Sequence, residues 1–286
     1  TNAKLKPVFV DCEYRTFNTN LFEIKKKITN KTKAIIIVHT YGLTVDLKEI
    51  IKFCKKKKIK IIEDAAEVIG QEYKGSKCGS FGDISILSFY ANKHINTGEG
   101  GMILTNNQIY KERFERLRNL NFQKKSRFIH NDFGFNYRMT NLQAAIGLGQ
   151  LEKISEIVRL KRKIGKNYNN LLKDIMNIYL PIDDNGNSKN IYWVYPIILK
   201  KNCKFTSKNV IKKLATKGIQ CRPFFYPLHK QPALKKIKNY KFNFNKKDYA
   251  NSEHLYRKGF YIPSGLSLTF NDQYKVSIEL KKILNR

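Results

Sequence analysis

A lysine, two carboxylates and two glycine-bearing turns fall close together in the first third of the chain. Lys93 lies in the run Ser-Phe-Tyr-Ala-Asn-Lys-His-Ile-Asn-Thr-Gly-Glu-Gly-Gly, residues 88–101, between two strand-like stretches. A lysine amine withdrawn from water gives up its proton more readily and becomes a nucleophile toward carbonyl carbon. Asp64 follows Glu63 at the end of the apolar run Ile59–Ile62. Carboxylates at the C-terminal ends of strands in open α/β sheets stand where ligands bind. A third motif, Gly79-Ser80-Phe81-Gly82-Asp83, is a turn leading into another strand. Taken alone, each has an ordinary reading. Lys93 is one of 55 basic residues, Asp64 suits a helix cap or turn, and Gly98 to Gly101 suit a tight loop.

The elements that must position these groups alternate strand and helix. Ala34–His39 reads as a buried strand, and Asp46–Lys57 as an amphipathic helix with Leu47, Ile50, Ile51 and Cys54 on one face. Ile59–Glu63 is a second buried strand. Strand, helix, strand at this spacing is a βαβ unit, which predicts a mostly parallel sheet covered by helices. Ile84–Phe89 and Met102–Thr105 are further strands, and a helix runs from Asn106-Asn107 to about Asn119. A long helix begins at Thr140 or Asn141 and continues, with a break or bend, past Tyr168. The remainder reads as a smaller α+β unit. Its strands are expected at Tyr192–Leu199 and Ile219–Phe225, and its helices near 207–217, 247–257 and 271–284. The division falls within the long helix, giving a large domain over 1–155 and a small one over 156–286. The opening run Lys6–Val10 also looks strand-like. Because the first residue is Thr rather than Met and the chain opens on such a run, an N-terminal part of the large domain is expected to be missing.

In order, Glu-Asp-Ala-Ala (63–66), Gly-Ser-Phe-Gly-Asp (79–83) and the lysine motif (88–101) resemble the DegT-like nucleotide-sugar aminotransferases, which are fold type I pyridoxal-phosphate enzymes. Asn136-Tyr137-Arg138-Met139-Thr140-Asn141, the helix through Ala144-Ala145-Ile146-Gly147-Leu148, and Arg222-Pro223-Phe224-Phe225-Tyr226-Pro227-Leu228-His229 agree with it, as does Pro263-Ser264-Gly265-Leu266. The resemblance implies an α/β fold, a mostly parallel sheet flanked by helices with a smaller C-terminal α+β domain. It implies that Lys93 carries pyridoxal 5'-phosphate as a Schiff base and shuttles protons. Asp64 is implied to keep the cofactor's ring nitrogen protonated. Ser88 is implied to contact the cofactor phosphate. Glu67 matches the position that meets the ring's phenolic oxygen, where many relatives have Gln; a carboxylate there has to be protonated or turned away. Asn136 is implied to reach the phosphate of a neighbouring subunit, hence a homodimer with composite sites. The implied reaction is transamination of a nucleotide-linked 4-keto-6-deoxy sugar with L-glutamate as donor, in polysaccharide or O-antigen sugar biosynthesis. A dehydratase using the same cofactor is the enzyme alternative. Family members also carry, ahead of the region where this chain starts, a phosphate-binding helix start and an aromatic that stacks on the cofactor.

Composition frames these readings. Hydrophobic residues make up 42% and aromatics 12% of 286 residues, as in a globular protein with a sizeable core. The formal net charge of +32 raises the alternative of a basic, non-catalytic nucleic-acid-binding fragment. Its basic clusters, such as Lys55 to Lys58 and Lys124-Lys125, are scattered, however, and no nucleic-acid motif accompanies them. A Lys/Asn/Ile-rich composition accounts for the charge. Five cysteines stand without a Cys-x-x-Cys pair, so neither a metal site nor a disulfide framework is indicated and a reducing cytoplasm is expected. No long apolar span points to a membrane.

Overall fold

The computed structural model describes residues 5–123, 126, 128–237, 242 and 244–285. The basic pair Lys124-Lys125 lies outside them. The first half builds around a four-stranded sheet. Its strands are β1 (Ala34–Val38), β2 (Lys60–Asp64), β5 (Ile84–Ser88) and β6 (Gly101–Leu104), side by side in that order. A two-stranded hairpin of β3 (Glu72–Tyr73) and β4 (Ser76–Lys77) lies between β2 and β5 in sequence. β1, β2 and β5 are parallel, and β6 runs antiparallel to β5.

Side chains alternate across a strand, so residues paired in register share a face. Ile37 and Ile61 point to one face, where Ile24 of α1 (Leu21–Lys27) and Leu47, Ile50 and Cys54 of α2 (Leu47–Lys57) pack on them. Each fully buried aliphatic side chain here contributes about 1.5–3 kcal/mol. Helix α2 stops at Lys58, whose left-handed backbone (φ 56°) returns its N–H to the carbonyls of Cys54 and Lys55. Ile36, Val38 and Ile103 point to the other face and are exposed in this chain. α3 (Gln108–Arg118), capped by Asn107, follows β6.

The expected long helix is two helices. α4 (Asn141–Leu151) starts at a capping box between Thr140 and Gln143, and α5 (Ile154–Leu172) follows a break at Glu152-Lys153. α4 buries none of its side chains, whereas α5 buries a stripe along its length. The rest of the chain forms an antiparallel sheet ordered β7 (Ile178–Tyr179), β8 (Tyr195–Leu199), β10 (Gly259–Ile262), β9 (Arg222–Pro223). Helices α6 (Ser207–Ala215) and α8 (Phe270–Leu284) join α5 in packing Val210, Leu214, Val276, Leu280, Tyr168 and Leu172 against it. α7 (Ala250–Lys258) leads into β10.

Three expected strands differ. Lys6–Val10 is irregular and pairs with no strand; just beyond it, the Asp11 carboxylate accepts the Asn251 and Ser252 amides at the start of α7. The strand expected at 219–225 shrinks to two residues, because Pro223 lacks an N–H and sits on the sheet edge. The strand expected from Tyr192 starts at Tyr195, since Tyr192 adopts a left-handed turn (φ 49°). No helix among the described residues is long and apolar enough to cross a membrane.

Candidate active site

The parallel register sets the site's floor. Val38, Asp64 and Ile86 are in line across β1, β2 and β5, and Ser88 lies two residues beyond Ile86 on the same face. Asp64 and Ser88 therefore stand together at the C-terminal edge of the sheet. Asp64 Oδ1 accepts the Ala66 amide at 3.1 Å, which turns the chain toward Glu67. The Ser88 hydroxyl accepts the Tyr90 amide at 3.3 Å and opens the loop that carries Lys93.

Lys93 is largely withdrawn from solvent, with 11% of its side chain exposed. Its Nζ lies 4.0 Å from Glu67 Oε1 and 3.9 Å from the ring centroid of Trp193. Burial pulls the amine below its ordinary range, while Glu67 and Asp64 act in the opposite sense. Glu67 is pushed up to about 7 by burial, against the Tyr41 amide and Lys93, which pull it down. Its other oxygen accepts that Tyr41 amide at 2.8 Å. The backbone there is unusual for a reason. Tyr41 (φ 59°) and Gly42 (φ 99°) turn tightly so that their loop lies against residues 190–193, and a Cβ on Gly42 would stand 2.8 Å from the amides of Tyr192 and Trp193.

Glu63, one residue before Asp64, points to the opposite face and is fully buried. It accepts the amides of Gly79 (2.6 Å), Phe81 (2.8 Å) and Gly82 (3.2 Å) and the Ser85 hydroxyl (2.9 Å). His39 takes the Val45 N–H on Nδ1, so its Nε2 carries the proton and donates to Glu63 at 3.1 Å. Burial would raise the Glu63 carboxyl, but these donors outweigh it and hold the group below its ordinary value. Glu63, His39 and Cys78 lie close enough to suggest a metal site. The carboxylate oxygens and both His39 nitrogens are already taken, so the cluster reads as the clamp that fixes the 79–82 turn under the site.

Lys93, Glu67, Asp64 and Ser88 thus gather at one sheet edge. Asn136 does not join them. It is exposed, bridges Asn119 through its backbone and accepts Arg138 Nε at 3.2 Å, and no hydrogen bond or ion pair among the described residues ties it to the four. His94 is buried with Nδ1 3.3 Å from the Ile69 carbonyl, which makes it part of the loop's packing. His229 pairs with Glu253 and stacks on Tyr249, and Arg222 is exposed on β9. The sequence reading missed Trp193, whose ring faces the lysine, and Tyr41, whose ring stacks on Trp193 and whose amide donates to Glu67. Trp193 is the chain's single tryptophan, but no spacing links it to a loop a hundred residues earlier.

The donor set suits a phosphorylated pyridine aldehyde: a desolvated amine to bond it, an acid at the sheet edge for its ring nitrogen and a hydroxyl for its phosphate. Glu67, carried to about 7 by burial, can present a proton rather than a charge to a neighbouring oxyanion.

Comparison with known proteins points the same way. The chain is 38% identical over 226 residues to GDP-perosamine synthase of Escherichia coli O157:H7, covering 79% of this chain and 61% of that protein. It is 39% identical over 226 residues to GDP-perosamine synthase of Caulobacter vibrioides, with the same coverage. It therefore spans about three fifths of the length of these curated relatives. Among solved structures, PseC of Helicobacter pylori, an aminotransferase of pseudaminic acid biosynthesis, superposes with a TM-score of 0.89 at 24% identity, covering 99% of this chain and 75% of that one. That likeness establishes the shared α/β fold. A family model described as the DegT/DnrJ/EryC1/StrS aminotransferase family matches residues 1–281.

Proposed function

The chain belongs to the DegT/DnrJ/EryC1/StrS aminotransferase family, and on that premise we propose that it acts as a pyridoxal-phosphate-dependent transaminase of nucleotide sugars. The proposed reaction turns a nucleotide-linked 4-keto-6-deoxy sugar of the perosamine type into its 4-amino sugar, with L-glutamate as donor. The observation that carries the reading is the desolvated Lys93 amine beside Glu67, on the sheet edge that also holds Asp64 and Ser88.

When bound, pyridoxal phosphate supplies an electron sink that makes the hydrogen on an amine-bearing carbon removable. The side chains then have separate tasks. Lys93 would hold the group through its amine and, once the incoming amine displaces it, the freed Lys93 amine would serve as base and acid, taking the proton from the donor's α-carbon and delivering one to the sugar carbon. Asp64 would keep the ring nitrogen protonated, Ser88 would donate to the phosphate, and Glu67 would donate its proton to the ring's phenolic oxygen. Trp193 keeps bulk water from one side of the Lys93 amine. Asn136, exposed beside the bare α4, is assigned to the site of a second copy. The uncovered apolar residues Leu142, Ile146 and Leu148 support such a homodimer. We place the division between large and small domains at 155/156 inside α5, and the protein in the cytoplasm.

The test is borohydride reduction of the protein loaded with pyridoxal phosphate, followed by peptide mapping. The reading expects a stable adduct on Lys93 and none in Lys93→Ala. An adduct on another lysine, or one that survives in Lys93→Ala, overturns it. Turnover with GDP- and dTDP-linked 4-keto sugars side by side then tests the substrate.

A further inference from the structure

Lys161 on α5 is buried, 4% exposed, and no carboxylate pairs with it among the described residues. Its Nζ donates to the Trp193 carbonyl at 3.1 Å, the Ser264 carbonyl at 2.5 Å and the Ser264 hydroxyl at 3.4 Å. A lysine is costly to bury without an acid, so its retention calls for a reason beyond filling space. Burial brings the amine down to about 7, so it can remain in place without a full charge.

The three acceptors identify what it holds. Trp193 is the residue whose ring faces Lys93 Nζ at 3.9 Å. The same indole donates Nε1–H to the carbonyl of Asn92, the neighbour of Lys93, at 2.9 Å. Ser264 belongs to the turn that follows β10. One amine thus ties α5, the segment before β8 and the turn after β10 behind the indole. From the front, the indole is tied to the loop of the site lysine. The backbone at Tyr192 gives the segment no sheet partner of its own, because β8 starts only at Tyr195. Without Lys161, the carbonyls of Trp193 and Ser264 would be buried acceptors lacking a strong donor.

We infer that Lys161 is a positioning residue that fixes the Trp193 ring against Lys93 and thereby sets the solvation of the Lys93 amine. The inference rests on the reading of Lys93 as the reactive lysine, yet its test does not need turnover. Lys161→Met keeps the length and removes the donors. Two readouts follow it in the protein without added cofactor. The first is acrylamide quenching of the single tryptophan, for which the quenching constant is expected to rise at least about twofold as the ring loosens. The second is the pH midpoint of Lys93 acylation by acetic anhydride, read by mass spectrometry. As water reaches the amine, the midpoint is expected to move up toward the ordinary lysine value by about half a unit or more, roughly a threefold change in free amine at fixed pH. Lys161→Gln, which keeps two donors on a shorter stem, is expected to move both readouts part of the way. A folded Lys161→Met protein in which either readout stays at the wild-type value overturns the inference. If Lys161→Met does not fold, unchanged readouts in Lys161→Gln overturn it, and shifts in both sustain it. Failure of the borohydride mapping would instead count against the proposed function and leave these measurements standing.

Discussion

Replacing Glu67 by Gln isolates the cost of holding an acid beside Lys93. Burial raises the Glu67 carboxyl from its ordinary 4.5 to about 7 in the folded chain. Between those values the folded state binds a proton that the unfolded state has released, so stability falls as pH rises through the window. Above it, the full displacement corresponds to roughly 3 kcal/mol, since each unit is worth about 1.4 kcal/mol. Gln keeps an oxygen for the Tyr41 amide, which Glu67 accepts at 2.8 Å, and carries no charge to desolvate. The attraction to Lys93 at 4.0 Å is already contained in that displacement, because Lys93 is one of the groups that pull the Glu67 carboxyl down. Glu67→Gln is therefore expected to lie close to the wild type near pH 4.5 and to exceed it by about 3 kcal/mol at pH 8.5. Urea unfolding at four or five pH values across this range checks it. A difference that does not vary with pH, or a less stable variant at pH 8.5, refutes the reasoning.

Two further outcomes are expected. Glu63→Ala strands the amides of Gly79, Phe81 and Gly82, the Ser85 hydroxyl and the His39 Nε2–H; a loss of about 3 kcal/mol or more is expected by urea unfolding. Gly165→Ala places a Cβ 2.5 Å from the ring of Tyr192, which is buried and hydrogen-bonded to Asp183, so overpacking of about 1–3 kcal/mol is expected as a lower thermal midpoint.

Much of this architecture was legible because local signals and burial agreed. Apolar runs placed β1, β2, β5 and β6 within a residue or two, and a cap expected at Thr140 or Asn141 announced α4, which Thr140 caps. The grouping of Lys93, Asp64 and Ser88 was implied by the resemblance; β2 ends at Asp64 and β5 at Ser88, and Lys93 lies in the loop that follows β5. What stayed hidden depended on distant pairing. β10 has a short, ordinary sequence and is a central strand only because β8 and β9 flank it. Tyr192 leaves the extended region because Gly42 and Gly165 let other backbone close in on it. Trp193 and Lys161 reach the site from elements far along the chain, and no spacing rule encodes such a meeting. The break at 152–153 was expected in kind but not in place.

Helix α5 carries a consequence of another sort. Near its start, Val158 packs with Ala65, Val68 and Ile191 beneath the first sheet; farther along, Ile164, Tyr168 and Leu172 belong to the core of the second. Nineteen residues make a rod of roughly 28 Å with one wall in each core. Heat or denaturant that melts one core strips a side from the other, so the two sheets are expected to be lost in a single transition. For the same reason, a slow tilt of one sheet against the other would have to flex this rod, and the rod carries the amine that backs Trp193.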